Sequence, residues 1–213
     1  MNINLQIIAS AYLLGEKSID KLRTKELVPK MLIRRRLTRA AKLLVELQDM
    51  VAFKNGRIVC GSAYGELGVS ADILNAIKED EPISPTDFQN SVYSTALSYL
   101  SIVSENHNEM LTISSGENTA KAVLKAGAVK ALDGDEMLLL CFETIDIQNI
   151  QEINHCIDYL ESAVALKVKV TSQNANIKVA KSATKGVADS ISELLHVAQI
   201  SQNIQNPILE VTL

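Results

Sequence analysis

The sequence has few aromatic residues and no tryptophan, and this scarcity limits what the protein can bind. Aromatic side chains make up 4% of the 213 residues, so stacking platforms for bases or sugar rings are not expected. An excess of charge is missing as well, because a net charge of -4 supplies no basic surface for nucleic acid or an anionic membrane. The composition therefore predicts neither a nucleic-acid partner nor a membrane partner.

Cysteine is rare, and its pattern does not build a site. Cys60, Cys141 and Cys156 lack metal-ligand spacing, and three cysteines cannot close a complete set of disulfides. No apolar run reaches the length of a membrane span, and the N-terminus lacks the features of a secretory signal. We expect a cytoplasmic protein in which Cys60 and Cys141 are small core residues.

Glycine is sparse, and the place where it gathers does not match a nucleotide-binding motif. Gly61, Gly65 and Gly68 do not give G-x-G-x-x-G, and neither Gly-Lys-Ser/Thr nor G-x-S-x-G occurs. We therefore expect a structural loop over residues 61–68 and no cofactor. The acidic stretch 133–136 is expected to be a turn with solvated charges, and no metal site is predicted.

What the sequence does contain is a strand, a sharp turn, a helix and a second strand in succession. Met110–Ile113 reads as a short apolar strand, Gly116 supplies the turn, and apolar residues recur at helical spacing over Thr119–Leu132. The unbroken apolar run Met137–Phe142 is typical of a strand buried on both faces of a parallel sheet. The pattern predicts an α/β fold, and a nucleophile at this turn would lie at a helix N-terminus.

Two further helices are predicted upstream of this unit. One opens at Pro29 and presents an apolar side made of Ile33, Leu37, Ala40, Leu44 and Leu47. Its arginine run 34–36 is expected to be a solvated helix face and not a phosphate site. The other begins at Ser84, a capping serine followed by proline. It continues as a helix over Phe88–Val103 with apolar residues on two sides, which predicts extensive burial and room for a subunit interface.

The remaining elements are read from shorter patterns. Leu5–Leu14 and Ile58–Cys60 are predicted strands, and Val164–Val170 alternates like a half-exposed antiparallel strand. An amphipathic helix over Val187–Ala198 and a closing strand over Ile208–Leu213 complete the chain.

Several of these stretches together resemble the N-terminal half of a β-ketoacyl synthase. They are Arg34–Ala41, Gly61–Leu67, Ser84–Ala96, Ile113–Gly116 and the buried strand that follows. The resemblance is closest to the short ketosynthase-like proteins that accompany aryl polyene and related polyketide clusters as chain-length-factor-like subunits. It implies one ketosynthase-like domain over residues 1–213, in which 1–150 matches the N-terminal ketosynthase half and 151–213 is a reduced C-terminal part. The implied fold is roughly one half of a thiolase-like layered sandwich, with a mixed central sheet covered by helices.

The resemblance also predicts that the chain is not catalytic. A ketosynthase needs a cysteine nucleophile at the turn, and aligning on Gly116 puts Ile113 at that position, or Ser114 with a slip of one residue. The family's two histidine motifs, His-Gly-Thr-Gly-Thr and a glycine-rich Asn-Ser-Phe-Gly stretch, do not occur in this sequence. About half of a complete ketosynthase is therefore expected to be missing.

The predicted function is that of a chain-length-factor-like pseudo-enzyme that pairs with an active β-ketoacyl synthase in aryl polyene, polyketide or fatty-acid-type chain elongation. The partner would supply cysteine and histidines, and an acyl carrier protein would be met only indirectly through the complex. The residues expected at the interface and at the end of the acyl tunnel are Phe88, Val92, Tyr93, Ser94 and Leu97.

Two alternatives belong to other classes of protein. A small acyl hydrolase or transferase could use Ser114 or Ser115 as nucleophile, with His155 or His196 as base and an aspartate to orient it. A structural homodimer without a ligand is the other alternative.

Overall fold

A single mixed sheet forms the centre of the chain. The computed structural model describes the backbone of residues 1–213 and every side chain except that of residue 153. Within it the strands are β1 (Asn2–Gly15), β2 (Arg57–Gly61), β3 (Met110–Ile113), β4 (Met137–Thr144), β5 (Glu161–Val170), β6 (Ile177–Lys178) and β7 (Ile208–Thr212). Their order across the sheet is β3-β2-β4-β5-β1-β7-β6. Strands β3, β2 and β4 run parallel, whereas β4, β5, β1 and β7 are successively antiparallel.

Helices cover both faces of this sheet. They are α1 (Thr24–Leu27), α2 (Met31–Arg34), α3 (Arg39–Met50), α4 (Leu67–Lys78), α5 (Pro85–Asn90), α6 (Thr95–Ser104), α7 (Thr119–Lys130), α8 (Ile150–Ile153) and α9 (Asp189–Ser201). Helices α7 and α9 pack on one face, and α3 with α6 on the other. The predicted α/β class, with a mixed central sheet covered by helices, is confirmed. No helix in the described part of the chain is both long and apolar enough to cross a membrane.

The position of β4 in the sheet explains its uninterrupted apolar run Met137–Phe142. Leu139 and Cys141 face the cluster under α7 and α9, whereas Leu138, Leu140 and Phe142 face the cluster under α3 and α6. All eight residues of β4 are buried, because side chains alternate across a strand and helices cover both sides. The predicted buried strand is confirmed.

Helix α7 approaches β4 closely because its inner face is made of small residues. Ala120, Gly127 and Ala128 are buried there. A Cβ at Gly127 would lie 2.4 Å from a Leu139 methyl carbon, so a larger residue would force the helix away from the sheet. The predicted sequence of strand, turn, helix and strand is therefore confirmed, and β2 lies between the two strands that α7 connects.

The helix predicted to open at Pro29 is two helices, and the prediction of one was wrong. Thr38 adopts extended backbone between α2 and α3, and its side chain accepts a hydrogen bond from the amide of Ala41 at 3.2 Å. This capping interaction starts a new helix. Arg39, at the start of α3, forms a two-pronged ion pair with buried Glu161, with nitrogen to oxygen distances of 2.5 and 2.6 Å.

The single helix predicted over Phe88–Val103 is also divided, into α5 and α6. The predicted Ser84 cap is confirmed, since its hydroxyl accepts the amide of Asp87 at 3.4 Å. After α5, the hydroxyl of Ser91 donates to the Phe88 carbonyl and that of Thr95 donates to the Gln89 carbonyl. These bonds compete with continued helix formation. The expected burial holds for α6 only, because Phe88 and its neighbours on α5 are exposed.

The C-terminal elements are close to prediction, with one correction. Helix α9 and strand β7 are found where expected, and β5 is antiparallel to both of its neighbours. The expectation that β5 is half exposed was wrong. It lies in the middle of the sheet, where Ala163 and Ala165 pack under the α3 side and Val164 and Leu166 under the α7 side. Exposure begins only at Lys169, near the end of the strand.

Candidate functional site

The loops that follow β2 and β3 meet at one edge of the sheet. Parallel strands end at the same edge, so the segment after β2 and the turn after β3 lie side by side. The amide of Ser62 donates to the carbonyl of Ile113 at 3.2 Å and joins the two. The predicted nucleophile position therefore lies at this edge of the sheet.

The turn after β3 has a well-defined local structure. Gly116 has a φ of +53°, a conformation that glycine adopts without strain. The Thr119 hydroxyl accepts the amide of Ser115 at 3.0 Å and donates to the carbonyl of Gly116 at 2.7 Å. Ser114 and Ser115 are exposed on this turn, whereas Ile113 packs partly buried against the core under α7 and α9.

The cysteines do not compensate for isoleucine at this position. Cys60 and Cys141 are completely buried in β2 and β4, which confirms the prediction that they are core residues. Burial, the largest cause, raises the pKa of both thiols and keeps them protonated. Neither is available as a nucleophile at the exposed turn.

The serine alternative receives no support from the geometry. No hydrogen bond among the described side chains joins the hydroxyl of Ser114 or Ser115 to a histidine. His155 is exposed beyond the end of α8, and His196 is half buried on α9. The arrangement of nucleophile, base and orienting acid that a hydrolase requires is not assembled among these residues.

A buried carboxylate that the sequence analysis missed organises the neighbouring loop. Glu143 at the end of β4 is fully buried and accepts four hydrogen bonds. They come from the hydroxyl of Ser62 at 2.9 Å, the amides of Ala63 and Tyr64 at 2.7 and 3.1 Å, and the hydroxyl of Ser190 at 2.6 Å. Burial raises the pKa of Glu143, and the four donors oppose that rise. Glu143 thus holds β4, the loop after β2 and the start of α9 together.

Tyr93 rests on this loop. Its hydroxyl donates to the carbonyl of Ala63 at 3.0 Å, and its ring lies so close to Gly65 that a Cβ there would be 3.1 Å from the ring carbon Cδ1. Glycine at position 65 therefore leaves the space that the ring fills. The expected loop over residues 61–68 is shorter in the structure, because Gly61 ends β2 and α4 begins at Leu67. Tyr93, one of the predicted interface residues, contacts it.

A groove opens between α6 and the edge strand β3. Its volume is about 520 Å³, and its lining includes Ser94, Leu97, Ile102, Met110 and Thr112. Two of the predicted interface and tunnel residues, Ser94 and Leu97, meet there. Leu97 is only 3% exposed and also belongs to the core under α3 and α6, so it contributes to both.

The other predicted residues lie on an exposed apolar surface. Helices α4 and α5 contact each other and leave large apolar side chains in solvent, which we call the α4–α5 surface: Leu74, Ile77, Phe88 and Val92. Leu74 is 66% exposed and Phe88 68%. Exposed apolar side chains concentrated in this way mark interaction sites in soluble proteins.

Charged groups singled out in the sequence make local contacts. Arg34 donates to the carbonyls of Val28 and Pro29, while residues 35 and 36 are exposed. The acidic turn is exposed as expected, but its charges are paired. Asp133 and Asp135 flank Arg57, which lowers the pKa of Asp133, and Glu136 binds Lys167 at 2.9 Å.

A second buried acid, also missed, lies where α3 and α4 begin. Glu66 accepts a hydrogen bond from the Thr38 hydroxyl at 2.6 Å. Burial raises the pKa of Glu66 to about 7, and the single bond from Thr38 opposes the rise. The signal available for both missed acids was weak, namely a lone acid at the end of an apolar strand and another just before a helix.

Comparison with solved structures assigns this architecture to the ketosynthase-like, thiolase-type α/β proteins. One match is the ketosynthase (ApeO) in complex with its chain length factor (ApeC) from Xenorhabdus doucetiae, with a TM-score of 0.64, 20% identity, and 83% of this chain and 85% of the other covered. The ishigamide ketosynthase/chain length factor matches with a TM-score of 0.60, 12% identity and coverages of 81% and 63%. A type II polyketide synthase acyl-carrier protein in complex with its ketosynthase (AntDE:AntF) matches with a TM-score of 0.59, 11% identity and coverages of 80% and 63%.

The chain belongs to the β-ketoacyl synthase N-terminal domain family, whose sequence model matches residues 15–210. No curated protein matches by direct sequence comparison. The match extends well beyond residue 150 and includes most of the segment after β4. The resemblance inferred from loose sequence strings is thereby confirmed.

Proposed function

We propose that this chain is a non-catalytic, chain-length-factor-like partner of a β-ketoacyl synthase. The observation that carries the proposal is the turn after β3, which has the strand-turn-helix form of a nucleophile turn but presents Ile113. An isoleucine side chain offers no lone pair for acyl transfer. The thiols of Cys60 and Cys141 are sealed inside the sheet.

Chain length supports a paired function. The aligned region makes up 83% of this chain and 85% of its match in the ketosynthase and chain length factor complex from Xenorhabdus doucetiae, so the two chains are of similar length. The chains matched at 63% coverage are longer. A chain that this sequence matches over most of its length thus occurs in a complex of a ketosynthase with its chain length factor, which motivates the same arrangement here.

The surface around β3 offers the partner two kinds of contact. Strand β3 is an edge of the sheet, and an edge strand has backbone groups that another chain can pair with. Beside it lies the groove between α6 and β3, and the α4–α5 surface offers further exposed apolar side chains. A permanent partner would bury these apolar side chains, and interfaces of that kind commonly bury about 2,000 Å² or more.

The proposed division of labour assigns the chemistry to the partner. The ketosynthase supplies the cysteine and histidines and receives the acyl carrier protein, while this chain completes the dimer. Ser94 and Leu97, which line the groove, would face the end of the partner's acyl tunnel in aryl polyene or related polyketide elongation. Phe88, Val92 and Tyr93 would contact the partner around it.

The length of the product tests this assignment. In a reconstituted complex, Leu97→Trp and Ser94→Phe should shorten the acyl products, because each fills space in the groove. Leu132→Trp is a matched control, since Leu132 is half exposed after α7 and does not line the groove. Products are measured by mass spectrometry and assembly by size-exclusion chromatography. Unchanged product lengths in complexes that assemble normally would show that this chain does not measure acyl chains.

Activity of the isolated chain tests the pseudo-enzyme assignment. We expect no decarboxylation of a malonyl-carrier substrate, because Ile113 stands at the nucleophile position. The assay compares the pure chain with Ser114→Ala. Turnover that disappears in Ser114→Ala would establish a serine-dependent enzyme and overturn the proposal.

A further inference from the structure

A cleft of about 400 Å³ lies on the α7 and α9 side of the sheet, next to β6 and β7. Strand β6 is the sheet edge opposite β3, so this cleft is separate from the groove proposed to face a ketosynthase. Its charged lining consists of Lys121, Lys125, Lys178, Lys181, Glu193 and Glu210. Leu124 and Val211, both buried, also line it and give it an apolar floor.

The charges in this cleft are unbalanced toward the positive. Four lysines stand against two glutamates, in a chain whose net charge is -4. Lys181 pairs with Asp189 at 2.9 Å. No carboxylate of the described side chains lies within ion-pair distance of Lys121, Lys125 or Lys178. A concave site in which Lys121, Lys125 and Lys178 lack acidic partners attracts an anion.

A hydrogen-bond acceptor in the same cleft is unsatisfied. The Oε2 atom of Glu193 is buried and accepts no hydrogen bond from the described part of the chain. A buried carboxylate oxygen without a donor is unfavourable, and such atoms are rare in folded proteins. Because Glu193 lines the cleft, a ligand carrying a hydroxyl or an amide N–H would satisfy this atom. An inorganic anion of full charge would not.

We propose that this cleft binds a small organic phosphomonoester that carries a hydrogen-bond donor. A phosphomonoester has a charge between about -1.5 and -2 at neutral pH, and lysine is a common phosphate ligand. The volume lies within the range of small-molecule sites. The phosphate contacts the lysines, the carbon skeleton rests on Leu124 and Val211, and the donor reaches Glu193.

Titration calorimetry with glycerol 3-phosphate tests the site. The wild-type chain should bind, and Lys121→Gln/Lys125→Gln should weaken binding by about tenfold or more, because two phosphate contacts are lost. Lys21→Gln/Lys25→Gln is the matched control on the far side of the molecule and should bind like wild type. Lys178→Gln, on the exposed edge strand, provides an independent variant. Thermal melting verifies that each variant is folded.

Ligands with and without a donor test the contribution of Glu193. At pH 8, where a phosphomonoester is a dianion without a P–OH group, wild type should bind glycerol 3-phosphate several-fold more tightly than methyl phosphate or sulfate, neither of which has a donor. Glu193→Ala should remove that preference. Absence of binding by glycerol 3-phosphate would overturn the proposal. So would equal binding by the Lys121→Gln/Lys125→Gln variant, or equal affinity of wild type for methyl phosphate.

Discussion

Helices α3 and α4 have the same length and opposite environments. Each has twelve residues, yet eight residues of α3 are buried and none of α4. The α4 sequence is the more apolar of the two, and it includes Leu74 and Ile77 in solvent. Apolar side chains are therefore buried within this chain in α3, whereas no residue of α4 is buried. Exposed apolar side chains of this kind mark interaction sites, and we therefore expect α4 and its neighbour α5 to contact a second molecule.

A hydrogen bond connects the start of α3 to the start of α4. Thr38 caps α3, and Glu66 immediately precedes α4. The bond between them joins the packed layer to the segment that carries the α4–α5 surface. Glu143 accepts four hydrogen bonds and Glu66 accepts one, so Glu66 is the less well satisfied of these two buried acids.

The largest expected effect on stability is in α3, the buried helix of the two. Leu44→Ala in α3 removes a fully buried side chain and should lower the free energy of unfolding by about 2–5 kcal/mol. Denaturant unfolding followed by circular dichroism measures the loss. A cost below about 1 kcal/mol would mean that α3 is not the stable layer that its burial indicates.

The buried carboxyl group of Glu66, which accepts the hydrogen bond from Thr38, should make the stability of the chain depend on pH. The pKa of Glu66 is raised to about 7 by burial, whereas an unfolded glutamate titrates near its ordinary value of about 4.3. Between these values the folded state binds more protons than the unfolded state, so stability falls as pH rises through this window. The loss should be roughly 3 kcal/mol or less between pH 5 and pH 8.

Glu66→Gln should flatten this part of the stability profile and raise stability at pH 8. The matched control is Glu81→Gln, an exposed acid beyond α4, which should keep the wild-type profile. Unfolding curves at pH 5, 6.5 and 8 provide the comparison. A Glu66→Gln profile as steep as that of wild type would assign the pH dependence to another group.

The smallest expected effect is on the exposed side. Leu74→Ala is the same substitution as in α3, but its side chain is 66% exposed. It should change the free energy of unfolding of the isolated chain by about 0.5 kcal/mol or less. The same denaturant experiment decides the matter. A loss comparable to that of Leu44→Ala would show that α4 packs within its own chain.

Much of the fold could be predicted because periodic patterns set it locally. The apolar run of β4 and the small inner face of α7 specify a buried strand and a closely packed helix. The two broken helices could not be predicted, since Thr38 and Ser91 interrupt apolar spacing through side-chain hydrogen bonds that periodicity does not register. Burial of β5 depended on helices distant in sequence and was misjudged for that reason.

The candidate site was predicted less completely than the fold. Ser94 and Leu97 line one groove, and Ile113 ends β3 just before the turn, whereas their functional roles stay predictions. Glu143 and Glu66 were missed because their partners come from separate loops, and sequence spacing carries no signal for such contacts. The exposure of the Phe88 side chain was not predicted either, because it depends on where α5 ends.

The most direct test of the account is the mass of this chain alone and after co-expression with a candidate β-ketoacyl synthase partner. Size-exclusion chromatography with light scattering should give self-association alone and a 1:1 complex on co-expression. Leu74→Asp/Phe88→Asp should abolish the complex without lowering the melting temperature, and Leu132→Asp should assemble like wild type. A stable monomer at micromolar concentration that does not bind the ketosynthase, or full assembly by the double variant, would contradict the account.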